Sequence, residues 1–149
     1  GNTHINSGSG SVHISNATGT DMDINSGSGR VVISNSNFND TNVNSGSGSI
    51  SFDMVNVGDL KLDTGSGRAE FKNGKITGDI EIDSTSGGVS IQADADLNDY
   101  NVDCSTGSGG VWINGVKVGD GYEVNNSTAH HELDVDGGSG RVSVELYRK

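Results

Sequence analysis

The 149-residue sequence predicts an all-β chain, a single-stranded right-handed β-helix (β-solenoid) of about seven rungs. It reads as one domain over residues 1–149, with a β-hairpin insertion at 114–132 before the last rung. Three observations predict this. A ten-residue string returns at a nearly constant interval, apolar and polar residues alternate on both sides of it, and Ser-Gly-Ser-Gly divides the two alternating runs.

The copies occupy 5–14, 24–33, 43–52, 62–71, 82–91, 102–113 and 135–144, the sixth carrying two extra residues. Counted on the valine-like position after the glycines, the members are Val12, Val31, Ile50, Ala69, Val89, Val111 and Val142, spaced by 19, 19, 19, 20, 22 and 31. A unit near twenty residues long buries its apolar face only by stacking on its neighbours, which is the signature of a solenoid. Without that period, composition would leave disorder open. Leu, Ile, Val and Phe number 33 of 149, barely above the ~20% below which a packed core is hard to build.

Each copy has two arms of period two, as in Met22-Asp23-Ile24-Asn25 and Val31-Val32-Ile33-Ser34, so alternate side chains face inward. The Ser-Gly-Ser-Gly between the arms reads as a corner whose glycines supply positive φ. A looser third side is marked by Phe38, Val57, Ile76 and Leu97. Parallel stacking about 4.8 Å apart sets four inner columns. In the first, Tyr100 and Leu133 follow Ile80; in the second, Val102 and Val135 follow Ile82. The other two run through the valine-like residues and through Ile14, Ile33, Phe52, Phe71, Ile91, Ile113 and Val144.

The period breaks between Ile113 and Leu133, where 115–124 alternates and turns like a hairpin folded over the outward Trp112. Solenoid ends need covering. Leu146-Tyr147 is expected to serve one end, while the other begins abruptly at Thr3. An end-to-end homodimer through the first rung is one expectation for that edge; an upstream segment is the other.

The recurring unit, typified by Leu62-Asp63-Thr64-Gly65-Ser66-Gly67-Arg68-Ala69-Glu70-Phe71, resembles a bacterial family of adhesin-like β-strand repeat domains of unknown function. The resemblance covers nearly the whole chain. It implies a right-handed β-helix attached to the cell envelope or outside the cell, in some members beside envelope-stress systems, and it brings no catalytic residues. The right hand also follows the crossover preference of parallel strands. Thr85 in place of the first glycine of the fifth copy, the extra residues of the sixth, and the insertion depart from the family's unit.

Nine Lys and Arg against twenty Asp and Glu give a net charge of -11. Such a field repels phosphate backbones, so nucleic acid is not an expected partner. No run approaches the ~18 apolar residues that cross a bilayer. Cys104 is the only cysteine and allows no intrachain disulfide; it reads as a buried or idle thiol rather than a nucleophile.

β-Helices also serve polysaccharide lyases and hydrolases, which need clustered carboxylates on one outward face. The best candidate column is Asn6, Asn25, Asn44, Asp63, Asp83, Asp103 and Asp136. Solvation, with Arg68 and Arg141 nearby, is the plainer reading of it; a divalent cation such as Ca²⁺ held by Asp63, Asp83 and Asp103 is the sharper one. The stretch 94–99 opens like an EF-hand loop but has Asp99 where glycine is needed, and reads as a solvated loop. The Gly-Ser runs lack the lysine of a phosphate-binding loop. His130 and His131, adjacent on a strand, face opposite ways and do not read as one metal site.

The function expected from these residues is a non-enzymatic surface or envelope module, without cofactor, that offers stacked polar columns to a glycan or protein. Trp112 and Tyr122 are its first-choice contact residues. The alternative is an envelope-stress or structural spacer domain acting through protein partners, and behind it a divergent polysaccharide enzyme.

Overall fold

The computed structural model describes residues 2–119 and 121–147. It is all-β, with one fourteen-stranded sheet wound on itself. The strands are β1 (Thr3–Ser7), β2 (Val12–Ser15), β3 (Thr18–Ser26), β4 (Val31–Ser45), β5 (Ile50–Thr64), β6 (Ala69–Ile76), β7 (Ile80–Ser84), β8 (Val89–Asp94), β9 (Tyr100–Thr106), β10 (Val111–Ile113), β11 (Val116–Val118), β12 (Tyr122–Val124), β13 (His131–Gly137) and β14 (Val142–Tyr147). The long β4 and β5 each run from the second arm of one copy through the third side into the first arm of the next.

First arms form one parallel ladder, β1-β3-β4-β5-β7-β13-β9. Second arms form another, β2-β4-β5-β6-β8-β14-β10. On the third side Phe38, Val57 and Ile76 are in register and buried, whereas Leu97 opens a one-turn 3-10 helix capped by Asp96. Parallel pairing puts matched residues on the same face, so the apolar positions close into a continuous core from Met22 to Leu146.

The ladders correct the expected order. Copies one to five stack in sequence, but β13 lies between β7 and β9, and β14 lies between β8 and β10. The seventh copy is therefore inserted between the fifth and the sixth. The sixth also sits two residues away from the expected register. Leu133 faces Val102, Val135 faces Cys104, and Tyr100 faces His131. Its extra residues precede the first arm, in the turn around the 3-10 helix.

The 115–124 segment explains the detour, and it does not fold on itself. Asn114 and Gly115, both at positive φ, turn the chain back so that β11 runs antiparallel along β10, the geometry of a two-residue hairpin. The chain then crosses to the other ladder, where β12 runs antiparallel along β9. With the outer edges of copy six occupied by β11 and β12, the returning chain pairs between copies five and six. Leu146 and Tyr147 extend the inserted copy against Ala93 and Asp94 rather than covering an end.

The glycine corners are also built differently from expectation. Among the described residues the glycines at positive φ are Gly115 and Gly121, both outside the corners. The corner glycines are required by close approach. A Cβ on Gly29, Gly48, Gly67, Gly87, Gly140 or Gly109 would strike the carbonyl oxygen of the glycine stacked beneath it. Beside this column Ser7, Ser26, Ser45, Thr64, Ser84 and Thr106 each donate a side-chain hydroxyl to the glycine carbonyl three residues on. Positive φ falls instead at the opposite bend, on Asn16, Asn35, Met54, Asn73 and Asn114. Asparagine tolerates the left-handed region better than other residues with a Cβ.

Candidate functional site

Several outward surfaces carry polar side chains. The first is an open groove of about 610 Å³ running along the glycine corner of the first copies. Gly8, Gly27, Gly46 and Gly65 line it together with Asn6, Asn25, Asn44 and Asp63, successive members of one outward column. Along the axis Asn44 Nδ2 donates to Asn25 Oδ1 at 3.1 Å, while Asn6 Nδ2 lies 3.2 Å from His4 Nε2. The first three copies each place an asparagine amide along the groove, at intervals of about 4.8 Å, and the fourth places the Asp63 carboxylate there.

Further along, the same column becomes acidic: Asp63 faces Asp83, Asp83 faces Asp136, and Asp136 faces Ser105. Asp103 is not a member. The two-residue register of copy six moves it into the neighbouring column, which runs Lys61, Glu81, Asp134, Asp103 and Glu123. The trio Asp63, Asp83 and Asp103 is thus split between columns. Among the described residues no group of three or more His, Cys, Asp or Glu is arranged to hold a metal ion.

These carboxylates strain one another. Desolvation, then the charges of Asp63, Asp136 and Glu81, push the Asp83 carboxyl above the usual range, with Lys61 opposing them. Asp134 is raised by desolvation and by Asp103, Glu81, Asp136 and Glu132. Lys61, the ladder partner of Glu81, is the cation that opposes the shift of Asp83; Arg141, expected beside this column together with Arg68, lies with its guanidinium carbon 4.1 Å from the centre of the Trp112 ring. A third acidic row, Asp21, Asp40 and Asp59, raises Asp40 in the same way, desolvation again leading.

Trp112 and Tyr122 are not brought together, since Trp112 lies on the β10-β11 ladder and Tyr122 on the β12-β9 ladder. Trp112 is half-buried, with its ring covering Gly110, where a Cβ would collide with it. Arg141 lies over the ring, and Lys117 Nζ stands 5.5 Å from its centre. This cation-π stack fixes the turn of the inserted copy to the β10-β11 hairpin. Tyr122 shares the inward side of Cys104, its ladder partner, yet is 39% exposed because it belongs to the last layer of the stack. Cys104 beneath it is buried, and burial pushes its thiol up to about 11, the state of an inert structural thiol.

One polar cluster was not legible as a unit in the sequence. Where the inserted copy begins, His131 Nδ1 lies 3.5 Å from Asp79 Oδ1 and His130 Nδ1 lies 3.3 Å from Asp99 Oδ1. The Tyr100 hydroxyl donates to the Gly78 carbonyl at 2.7 Å, and burial holds its pKa well above the usual tyrosine value. Lys75, Asp94 and Asp96 complete the rim of a hollow of about 420 Å³. Asp79 directly precedes β7 of copy five and the histidines open copy seven, so the interleaved order is what brings His131 to Asp79.

No curated protein and no solved structure matches the chain. A family model, described as Toastrack DUF4097, a domain of unknown function, matches residues 1–145. The match takes in all seven copies and the detour between the last two, so the chain belongs to the Toastrack DUF4097 family.

Proposed function

We propose that this domain is a non-enzymatic, adhesin-like binding or scaffold module of the cell surface or envelope, built as a right-handed β-helix of seven rungs. The observation that carries the reading is the glycine-floored groove with its asparagine column. A groove that repeats an asparagine amide over three successive copies suits an extended polymer with a repeat of its own, such as an envelope glycan, and several weak contacts then add. The right hand rests on crossover preference.

The state of the reactive groups supports a non-enzymatic role. Both adjacent histidines lie against aspartates, the Tyr100 hydroxyl is spent on a backbone carbonyl, and the Cys104 thiol is buried. A nucleophile needs a base and an open approach. The reading extends to end-to-end pairing of two copies through the first rung, where β1 and β2 have a ladder partner on one side only among the described residues. Concentration-dependent sedimentation tests that part.

A glycan array probed with the folded domain and with Asn25→Ala/Asn44→Ala tests the binding role. Retention of a linear envelope glycan, lost in the variant at an unchanged melting temperature, is the expected result. Retention of no glycan overturns it, and recovery of one specific protein in its place points to the spacer reading. Trp112→Ala is expected to lower the melting temperature and leave glycan retention intact.

A further inference from the structure

The inserted seventh copy holds its place differently from every other copy. Its backbone pairs on one side with copy five and on the other with copy six, while among the described residues β7 and β9 share no ladder bond, nor do β8 and β10. The two edges it separates would fit each other. Copy five offers Ile80, Ile82, Val89 and Ile91, and copy six offers Val102, Cys104, Val111 and Ile113 at the matching positions. The slot is thus defined by parallel backbone pairing and by apolar residues that any in-register copy supplies.

Two features weaken the insert relative to its neighbours. Gly137 stands where Ser84 and Thr106 of the flanking copies donate hydroxyls to their corner carbonyls, so the insert lacks that clamp. Its carboxylates also meet like charges, Asp136 against Asp83, and Asp134 between Glu81 and Asp103. The segment leading to it is fastened to copy six instead. The backbone N-H of Asn126 donates to Asn101 Oδ1 at 2.7 Å, Asn126 Nδ2 donates to the Asn98 carbonyl at 2.8 Å, and the His130 N-H donates to the Asp99 carbonyl. Copy six and its tether form one unit, and the insert is a strand pair hung from it.

We propose that the seventh copy is an exchangeable donor: the slot between copies five and six accepts residues 131–147 of a second copy of this chain, giving a strand-swapped dimer. The occupant is specified by the slot itself, because that segment already satisfies its register, its inner volumes and its backbone groups. Adding a strand from another chain at a ladder position is an established mode of protein recognition, and exchange of identical elements is an economical route to a dimer.

The test uses the full chain and a fluorescein-labelled synthetic peptide of residues 131–147. Ser90 and Ser143 are ladder partners of copies five and seven, so Ser90→Cys/Ser143→Cys can be oxidised to lock the insert in place. Neighbouring strands stand about 4.8 Å apart, within the Cα range a disulfide spans, and the buried Cys104 stays out of the reaction. The expected result is slow uptake of the peptide by the native chain and by the reduced variant, its loss on oxidation, and, when the reduced variant is concentrated before oxidation, a disulfide that joins position 90 of one chain to position 143 of another, which end-to-end pairing through the first rung does not give. Absence of uptake by the folded native chain overturns the proposal. So does uptake that survives oxidation, which would put the peptide on the free edge of the first copy.

Discussion

Copies one to five and copies six and seven are built from the same unit, yet only the first group keeps sequence order in space. In the first group each copy follows its predecessor after 19 or 20 residues, and every ladder joins neighbours in sequence. In the second, an antiparallel strand is laid on each edge of copy six before the chain returns to insert copy seven. The difference teaches that a repeat specifies which edges can pair, while the length and path of the connections decide which edges do.

The largest effect should come from charging the shared core. Ile82→Asp buries a carboxylate without a partner at a fully buried position, a cost of about 3–5 kcal/mol, and thermal melting is expected to show no cooperative transition. Val135→Asp, the neighbouring position in the insert, sharpens the comparison. Copies one to five retain their mutual ladders, so circular dichroism should show partial melting with roughly the first two-thirds of the strand signal intact.

Next in size is the glycine column. Gly67→Ala places a methyl against the Gly48 carbonyl, and should cost about 2–4 kcal/mol in denaturant titration. Gly119→Ala, where a Cβ meets open space in the detour, should change stability by less than about 0.5 kcal/mol.

Met54 gives a smaller effect of opposite sign. It sits at φ 59° and 57% exposed in a column whose other members are asparagines. Met54→Asn should stabilise the chain by about 0.5–1 kcal/mol through relief of left-handed strain, with no counterpart at Asn35 or Asn73.

The dependence on pH has its own sign. Asp40, Asp83 and Asp134 are raised in the folded chain, so the folded state binds protons more readily than the unfolded one. Their unfavourable contribution is fully present above the folded pKa values and is lost as pH falls toward the ordinary aspartate value of 3.8. The melting temperature should therefore rise on mild acidification from neutral pH, and less in Asp134→Asn. At alkaline pH the Cys104 thiol, raised from 9.0 to about 11, should lower stability as pH climbs from the first value toward the second. That loss should be smaller in Cys104→Ala, with the part due to the raised Tyr100 hydroxyl remaining above its ordinary value of 10.0.

Much of the fold was legible in the sequence because the period fixes which residues meet. Met22, Ile24, Val31 and Ile33 and their successors through copy five lie in the expected columns. The order of the last two copies was not legible, since Val111 and Val142 fit the same column on either side of one another. The register of copy six could have been read. The interval from the inner residue of the first arm to the valine-like position is seven in Ile5 to Val12, Ile82 to Val89 and Val135 to Val142, and Cys104 to Val111 keeps it where Val102 does not. Of the candidate residues, Asp63 and Asp83 are neighbours as expected, while Asp103 left the column with that register. The groove was foreseen only as a regular polar face; its glycine floor follows from close approach of the coils, which no local pattern reveals.

The interleaved order is tested most directly by disulfide mapping across the second ladder. In Ser90→Cys/Ser143→Cys the two thiols belong to copies that are adjacent only if the seventh lies on the fifth; in Ser90→Cys/Trp112→Cys they are adjacent only if the sixth does. Mild oxidation of each variant in dilute solution should close the first pair rapidly within one chain and leave the second pair open. Rapid intrachain closure of the second pair, with the first left open, would contradict the account.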